Sequence, residues 1–392
     1  MAKFRNPRNM NLKFKRTLFS FILIGLVFAF VEGGLRFLLR LAHKDLNGIR
    51  QSYANILDSQ SDGKSAYVTD HPYLPHVLRS GAELHTINIY PFGGRVERHA
   101  YINTLGFRGS ELESRGLQTF RVACIGGSTV EGCLSDPTDW PHLMGNILQG
   151  FYPSNRVEVI NGGVSSYAST DTLIHFILHI LPVQPDCIVV YDGINDVTAL
   201  GADHIRNDFS HIRKRIPSIP TLFDYCPRWF DRSALFVCVR RIVSDLWLKR
   251  TNNIVMLTMR DFTRSDPNSL AGQEIFHRNL MNLIYLCRGY RIRVLLCTFI
   301  FQTLDATGKP ISGTGIEHKT VALNQIIRQT AAATRTELLE LDGALPMNPE
   351  YFMDGAHFTL KGEHRIAELI AKKLRSMYGP HLVQESGFIP VE

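Results

Sequence analysis

From Phe120 onward the chain keeps one rhythm, and that rhythm constrains its fold more than any other feature. Short apolar runs ending in glycine or polar turns alternate with segments of helical period. RVACIGG is the first run. STVEGCLSDPTDWPHLMGNILQGF follows, with Trp140, Leu143, Ile147 and Leu148 at helical spacing. VEVING is a second strand, DTLIHFILHIL reads as a helix, and DCIVVYDGIND is a third strand ending in a polar turn. Residues 198–272 break the pattern; they are rich in charge and proline, with an amphipathic helix predicted over Ala234–Leu248. The rhythm resumes with a helix over Glu274–Cys287, the strand RIRVLLCTF, a helix near Glu317–Ala333, the strand TELLELD and a closing helix over Leu360–Tyr378.

Strands that alternate with helices predict a parallel sheet covered on both faces. The expected class is α/β: a flavodoxin-like three-layer αβα sandwich with five parallel strands in the order 2-1-3-4-5 and one large insertion. Ahead of it, residues 70–117 hold short, turn-rich elements. The alternation in HTINIY predicts a strand, and FGGR a turn.

Charge is placed unevenly. The net charge is +7, and Lys3, Arg5, Arg8, Lys13, Lys15 and Arg16 supply six of those charges with no acid among the first 16 residues. A basic face on a folded domain, which nucleic-acid binding needs, is therefore not indicated, and no nucleic acid is expected as a partner. The tail adjoins an uncharged run of 15 residues, Thr17 to Val31. Carried on to Leu39, with Glu32 and Arg36 paired four residues apart near the interface, the run reaches the length of a membrane span. It reads as an uncleaved signal anchor, with the basic tail cytoplasmic and the rest exported. The alternatives are a cleaved signal peptide, for which no clear A-x-A site follows, and a buried N-terminal helix. The expected organisation is a basic cytoplasmic tail (1–16), a transmembrane signal anchor (17–39), a linker with a small β-containing region (40–117), and a catalytic domain (118–392) with the insertion at about 198–272.

Of seven cysteines, Cys124, Cys187 and Cys297 lie within predicted strands. One bridge among Cys133, Cys226, Cys238 and Cys287 suits an oxidising compartment. No Cys/His spacing suggests zinc, and neither a metal nor a cofactor is expected.

Ligand sites in open parallel sheets lie at the carboxyl ends of the strands. Four turns fall there: GGSTVEG with Ser128, NGGVSSYAS at 161–169, GIND at 193–196, and DGAHFT with Asp354 and His357. Singly, each has a plainer explanation: a helix cap for Ser128, turns for NGG and Asn-Asp, a cap and a surface histidine for Asp-x-x-His. Jointly they offer a nucleophile, a base and an amide donor at equivalent positions. Ser128 would attack an acyl carbon, His357 take its proton, and Asp354 hold the ring tautomer. The Ser128 backbone N–H and the Asn195 amide would receive the oxyanion; losing one such donor typically costs about 2.7–4 kcal/mol.

These four blocks resemble the SGNH hydrolases, also called GDSL esterases, over about residues 118–378. The resemblance implies Ser128 as nucleophile, Asn195 in the GxND block as oxyanion donor, and Asp354 and His357 in the DxxH block. The family's second block, like NxGxSGxT, supplies a backbone donor from a glycine. Asn161-Gly-Gly-Val-Ser-Ser-Tyr stands here, with Ser166 where that glycine is expected. A left-handed backbone would cost Ser166 about 1–2 kcal/mol, and Gly163 is the fallback at the substrate. Gly127 replaces the family's aspartate, which is outside the catalytic set. Asn103 to Gly109 resembles a segment preceding this domain in bacterial membrane-anchored members.

The expected activity is that of a serine esterase or deacylase acting outside the cytoplasmic membrane on a small-molecule or glycan ester. An O-acyltransferase modifying a surface polysaccharide and a non-catalytic binding protein are the alternatives. A phosphate-binding loop is disfavoured because GGSTVEG lacks the lysine of GxxxxGK[ST]. Arg206, Arg213, Lys214 and Arg215 in the insertion suit an anionic glycan or lipid headgroup, or simply form a solvated face.

Overall fold

The structure is a computed structural model, and its described residues are 7–41, 67–69, 71–199, 209, 233–239, 242, 270–301 and 316–382. The chain divides into two compact units, residues 1–62 with 217–253, and residues 63–216 with 254–392.

In the first unit, helix α1 spans Pro7–Leu41. Its segment Phe14–Leu41, 28 residues with a mean hydropathy of 2.2, is long and apolar enough to cross a membrane, as an anchor or a signal sequence would. Glu32 and Arg36 pair at 2.8 Å, as their spacing predicts. Glu32 also accepts hydrogen bonds from Ser233 Oγ (2.9 Å) and from the N–H groups of Ala234 (2.7 Å) and Leu235 (2.9 Å). It thereby caps a short helical segment at 234–239, the described part of the helix expected at Ala234–Leu248.

The second unit opens with two antiparallel pairs. Strands β1 (Val68–Thr69) and β2 (Val77–Leu78) form one; β3 (Glu83–Tyr90) and β4 (Gly94–Tyr101) form a hairpin, its turn at the expected FGGR. Alternation gives the hairpin two faces. Leu84, Arg98 and Ala100 are buried, while His85, Glu97 and His99 are exposed.

Then come β5 (Thr119–Gly126), α2 (Ser128–Glu131), α3 (Trp140–Phe151), β6 (Arg156–Gly163), α4 (Ser169–His175), β7 (Cys187–Tyr191), α5 (Ile194–Ala199), α6 (Leu270–Gly289), β8 (Arg293–Cys297), α7 (Ile316–Thr334), β9 (Glu337–Leu339) and α8 (Leu360–Tyr378). The five strands pair in parallel in the order β6-β5-β7-β8-β9, which is the expected 2-1-3-4-5. All eight residues of β5 are buried, as a strand covered on both faces must be. Val122 and Cys124 pack with Trp140, Met144, Leu148, Ile366 and Leu374 in one layer; Ala123 and Ile125 pack with Phe176, Phe276, Leu280 and Ile327 in the other. The helix expected over DTLIHFILHIL is broken: α4 passes into a π-helical turn at Phe176–Ile180 and a 3-10 turn at Leu181–Val183, where Pro182 has no N–H to continue the ladder. Cys124, Cys133, Cys187, Cys238, Cys287 and Cys297 are free thiols; Cys226 and the basic residues of the insertion from Arg206 to Arg215 lie outside the described residues.

Candidate active site

Strand β5 ends at Gly126, whose φ of +153° and approach to the Tyr191 carbonyl leave no room for a side chain; a Cβ would lie 2.3 Å from that oxygen. The chain therefore turns tightly into α2 and delivers Ser128 at its first residue. In the same layer as α2, Thr359 caps α8 by accepting the Gly362 N–H (3.3 Å), and the preceding loop is closed by the Met353 N–H to the His357 carbonyl (2.8 Å). These two constraints bring together side chains 229 positions apart: Ser128 Oγ lies 2.9 Å from His357 Nε2.

Asp354 completes the line. Its Oδ2 accepts from His357 Nδ1 at 2.7 Å, and its Oδ1 accepts the Ala356 and His357 backbone N–H groups at 2.8 Å each. Burial alone would raise the Asp354 pKa, but these hydrogen bonds and the imidazole outweigh it and hold the carboxyl below its ordinary value. With Nδ1–H donated to Asp354, Nε2 of the neutral ring is left to accept the serine proton. Burial disfavours the imidazolium, yet the negative charge of the Cys133 thiolate and the carboxylate of Asp354 more than offset this and raise the His357 pKa well above the ordinary imidazole value.

Three groups are expected as oxyanion donors. The Ser128 N–H lies at the start of α2. Asn195 donates one Nδ2–H to the Tyr167 carbonyl (2.8 Å), which fixes the amide and leaves its second N–H to donate. A Cβ on Gly127 would lie 2.5 Å from Asn195 Nδ2, so the small residue in place of the family's aspartate makes way for that amide. Ser166 has φ +70°, the left-handed conformation that a glycine at this position adopts without strain. Its backbone N–H has no hydrogen-bond partner among the described residues.

Gly163 has a different place from the one expected. Its N–H donates to Asn161 Oδ1 at 3.1 Å, and a Cβ there would lie 2.1 Å from the Glu131 nitrogen. It is a close-packing glycine beneath α2, with its donor already engaged, and it does not serve as the fallback donor.

Sequence reasoning missed the second layer. Glu131 is fully buried and accepts from Arg98 (2.7 Å), from the Ser165 N–H and hydroxyl (2.6 Å each) and from Tyr67. Burial would raise its pKa, but Arg98 and the hydroxyl donors push it down to about 2. The carboxylate thus ties α2 to the turn that carries Ser166. Arg108, inside the Asn103–Gly109 segment, is also fully buried; it donates to Asp136 (2.6 Å) and to the carbonyls of Glu131, Gly132 (3.0 Å) and Leu134 (2.5 Å), fixing the loop after α2. The hairpin closes the site from the other side. The Phe92 and Gly93 N–H groups donate to the Met353 carbonyl at 2.8 and 3.2 Å, and the Tyr90 ring lies 5.9 Å from that of His357. Tyr90 and Cys133 therefore border the His357 imidazole. Asp196 of the GIND block faces away from the reacting atoms: it accepts from the Ser169 N–H (2.9 Å) and Oγ (2.6 Å), joining the second and third turns.

A family model for GDSL-like lipases/acylhydrolases matches residues 124–365. No curated protein sequence matches the chain. Among solved structures, an acetylxylan esterase from Geobacillus stearothermophilus is 14% identical, with a TM-score of 0.41, over 65% of this chain and 94% of that one. An alpha/beta hydrolase from the metagenome of Lake Arreo, Spain, is 15% identical (TM-score 0.40; 65% and 94% covered). A lipase/acylhydrolase from Enterococcus faecalis is 17% identical (TM-score 0.40; 67% and 100% covered).

Proposed function

Because this chain belongs to the GDSL-like lipase/acylhydrolase family and is a hydrolase of ester bonds, we propose that it works through a Ser128–His357–Asp354 acyl-enzyme on an acylated glycan or lipid outside the cytoplasmic membrane. The observation that carries this reading is the unbroken hydrogen-bonded line from Ser128 Oγ through His357 to Asp354, at 2.9 and 2.7 Å.

Ser128 Oγ attacks the ester carbon while His357 Nε2 takes its proton. Asp354, already ionised and hydrogen-bonded to Nδ1–H, stabilises the imidazolium without taking the proton. The tetrahedral oxyanion receives the Ser128 and Ser166 N–H groups and Asn195 Nδ2–H. These are preformed dipoles that need no reorganisation as charge develops. His357 then protonates the leaving alcohol. A water, activated by the same imidazole, releases the acid and restores Ser128. If a sugar hydroxyl replaced that water, the same cycle would be an O-acyl transfer.

The Lys/Arg tail and apolar α1 support an uncleaved single-pass anchor, with residues 118–392 as the catalytic domain on the periplasmic or extracellular side. A reporter of export fused after Leu41 is expected to be active only outside the cytoplasm; cytoplasmic reporter activity would overturn the location. Fluorophosphonate labelling tests the chemistry. Wild type should label, and Ser128→Ala should neither label nor hydrolyse p-nitrophenyl esters while keeping its thermal transition. Near-wild-type turnover by that variant would refute the nucleophile, and a wild type that fails to label would favour a binding protein. Free acid versus acylated glycan, measured on one sample, separates hydrolysis from transfer.

A further inference from the structure

We propose that the outer face of the β3–β4 hairpin is a binding site for a divalent transition-metal ion, of the zinc and nickel class, held by His85, Glu97 and His99. Strand register makes His85 and His99 direct cross-strand partners. Glu97 lies two residues before His99, so alternation brings it to the same face. The two imidazoles stack with centroids 3.9 Å apart and planes 24° from parallel. Both Nε2 atoms aim at one carboxylate oxygen: His85 Nε2 is 2.7 Å and His99 Nε2 3.5 Å from Glu97 Oε1. All three donor atoms lie within 4.8 Å of one another.

That spacing is what a cation needs. Zinc holds imidazole nitrogen and carboxylate oxygen at about 2.0–2.2 Å in a tetrahedron, which sets neighbouring donors roughly 3.4 Å apart. A metal lies in the plane of each imidazole it binds, so swinging the two rings out of their stack about their side-chain torsions, with the shorter contact opened by less than about 1 Å, places an ion between all three. The ion would replace the protons on Nε2, leaving each ring's proton on Nδ1. With both histidine side chains close to 60% exposed, the fourth position is open to water. Two imidazoles and a carboxylate favour borderline metals over magnesium or calcium, which prefer all-oxygen sets.

A second cluster of the same residue types lacks this property. Asp136, Asp139 and His142 also converge, but the Arg108 guanidinium lies 2.6 Å from Asp136 and 3.5 Å from Asp139 and already occupies the cationic position. No comparable cation pairs with Glu97 among the described residues.

The test is calorimetric titration of the untagged full-length protein in detergent with zinc chloride, then with nickel and magnesium chlorides. We expect micromolar zinc affinity, nickel binding, and no magnesium binding. Bound zinc should also raise the thermal midpoint in proportion to its occupancy. His85→Ala and His99→Ala should each weaken zinc binding, and the double substitution should abolish both binding and the thermal shift. Retained fluorophosphonate labelling of Ser128 would show that the double variant is folded. Absence of zinc binding to wild type, or binding that survives in the folded double variant, would overturn the site.

Discussion

Replacing Glu131 with glutamine separates what holds the domain together from what aims the oxyanion donors. The carboxylate is fully buried and is held at about 2 against an ordinary 4.5, a difference that corresponds to about 3 kcal/mol. Breaking a buried ion pair by removing one partner generally costs about 3–5 kcal/mol, because the other charge is stranded. Here that charge is Arg98, whose side chain is 8% exposed. The two magnitudes agree, so Glu131→Gln should destabilise the domain by about 3 kcal/mol. The sign with pH follows from the lowered pKa. The stabilisation is complete above about 4.5 and is lost as pH falls towards 2. The catalytic effect has a different origin. Both Ser165 donors go to one oxygen, Oε2, and the neutral amide oxygen of glutamine holds them with about half the strength of a carboxylate, so the turn loosens and Ser166 is less firmly fixed. Turnover should fall towards the limit for losing one oxyanion donor, about 10²–10³ in kcat, with KM nearly unchanged. Steady-state kinetics on a p-nitrophenyl ester, beside thermal unfolding, checks both. Adding Arg98→Met to Glu131→Gln removes the stranded charge and should recover much of the stability but none of the kcat. An unchanged kcat in folded Glu131→Gln, or a double variant that regains kcat along with stability, would refute the positioning role.

Asn195→Ala should lower kcat by roughly 10²–10³ at nearly constant KM, and slow fluorophosphonate labelling without abolishing it. Ser166→Gly should relieve a left-handed serine and stabilise the domain by about 1 kcal/mol, read as a higher thermal midpoint. In the proposed cycle His357 is the base, and its pKa is raised, so kcat/KM should climb with pH on a limb lying well above 6.5; Cys133→Ala removes one source of that rise and should shift the limb to lower pH. Gly163→Ala would drive a methyl into the α2 backbone, so expression of folded protein should fall sharply, whereas Gly150→Ala, where a Cβ meets nothing, should be benign.

The sheet was legible because its signals are local. A parallel strand covered on both faces is a continuous apolar run, and glycine punctuates each turn that must pass close to a neighbour. Ser128, Asn195, Asp354 and His357 were legible for the same reason, since each follows or precedes a recognisable element at the same sheet edge. Ser166 was legible as an anomaly, a serine where a left-handed residue is required. Gly163 was misplaced because its role depends on how closely α2 lies over β6, and no window of sequence contains that distance. Tyr90, Arg98 and Cys133 escaped notice because they reach the site through the hairpin and a loop, by contacts between residues far apart in the chain. Glu131 stood inside the nucleophile block, but its partners Arg98, Ser165 and Tyr67 come from three other segments.

The docking of the hairpin on the loop before α8 also fixes when the enzyme can act. The nucleophile turn leaves the ribosome 229 residues ahead of its base, a lag of roughly 10–45 s at ordinary elongation rates. Through that interval the serine has no imidazole beside it, and the hairpin tip has no carbonyl of Met353 to bind. A nascent chain therefore holds Ser128 without its imidazole until the last loop of the domain folds back onto the β3–β4 hairpin.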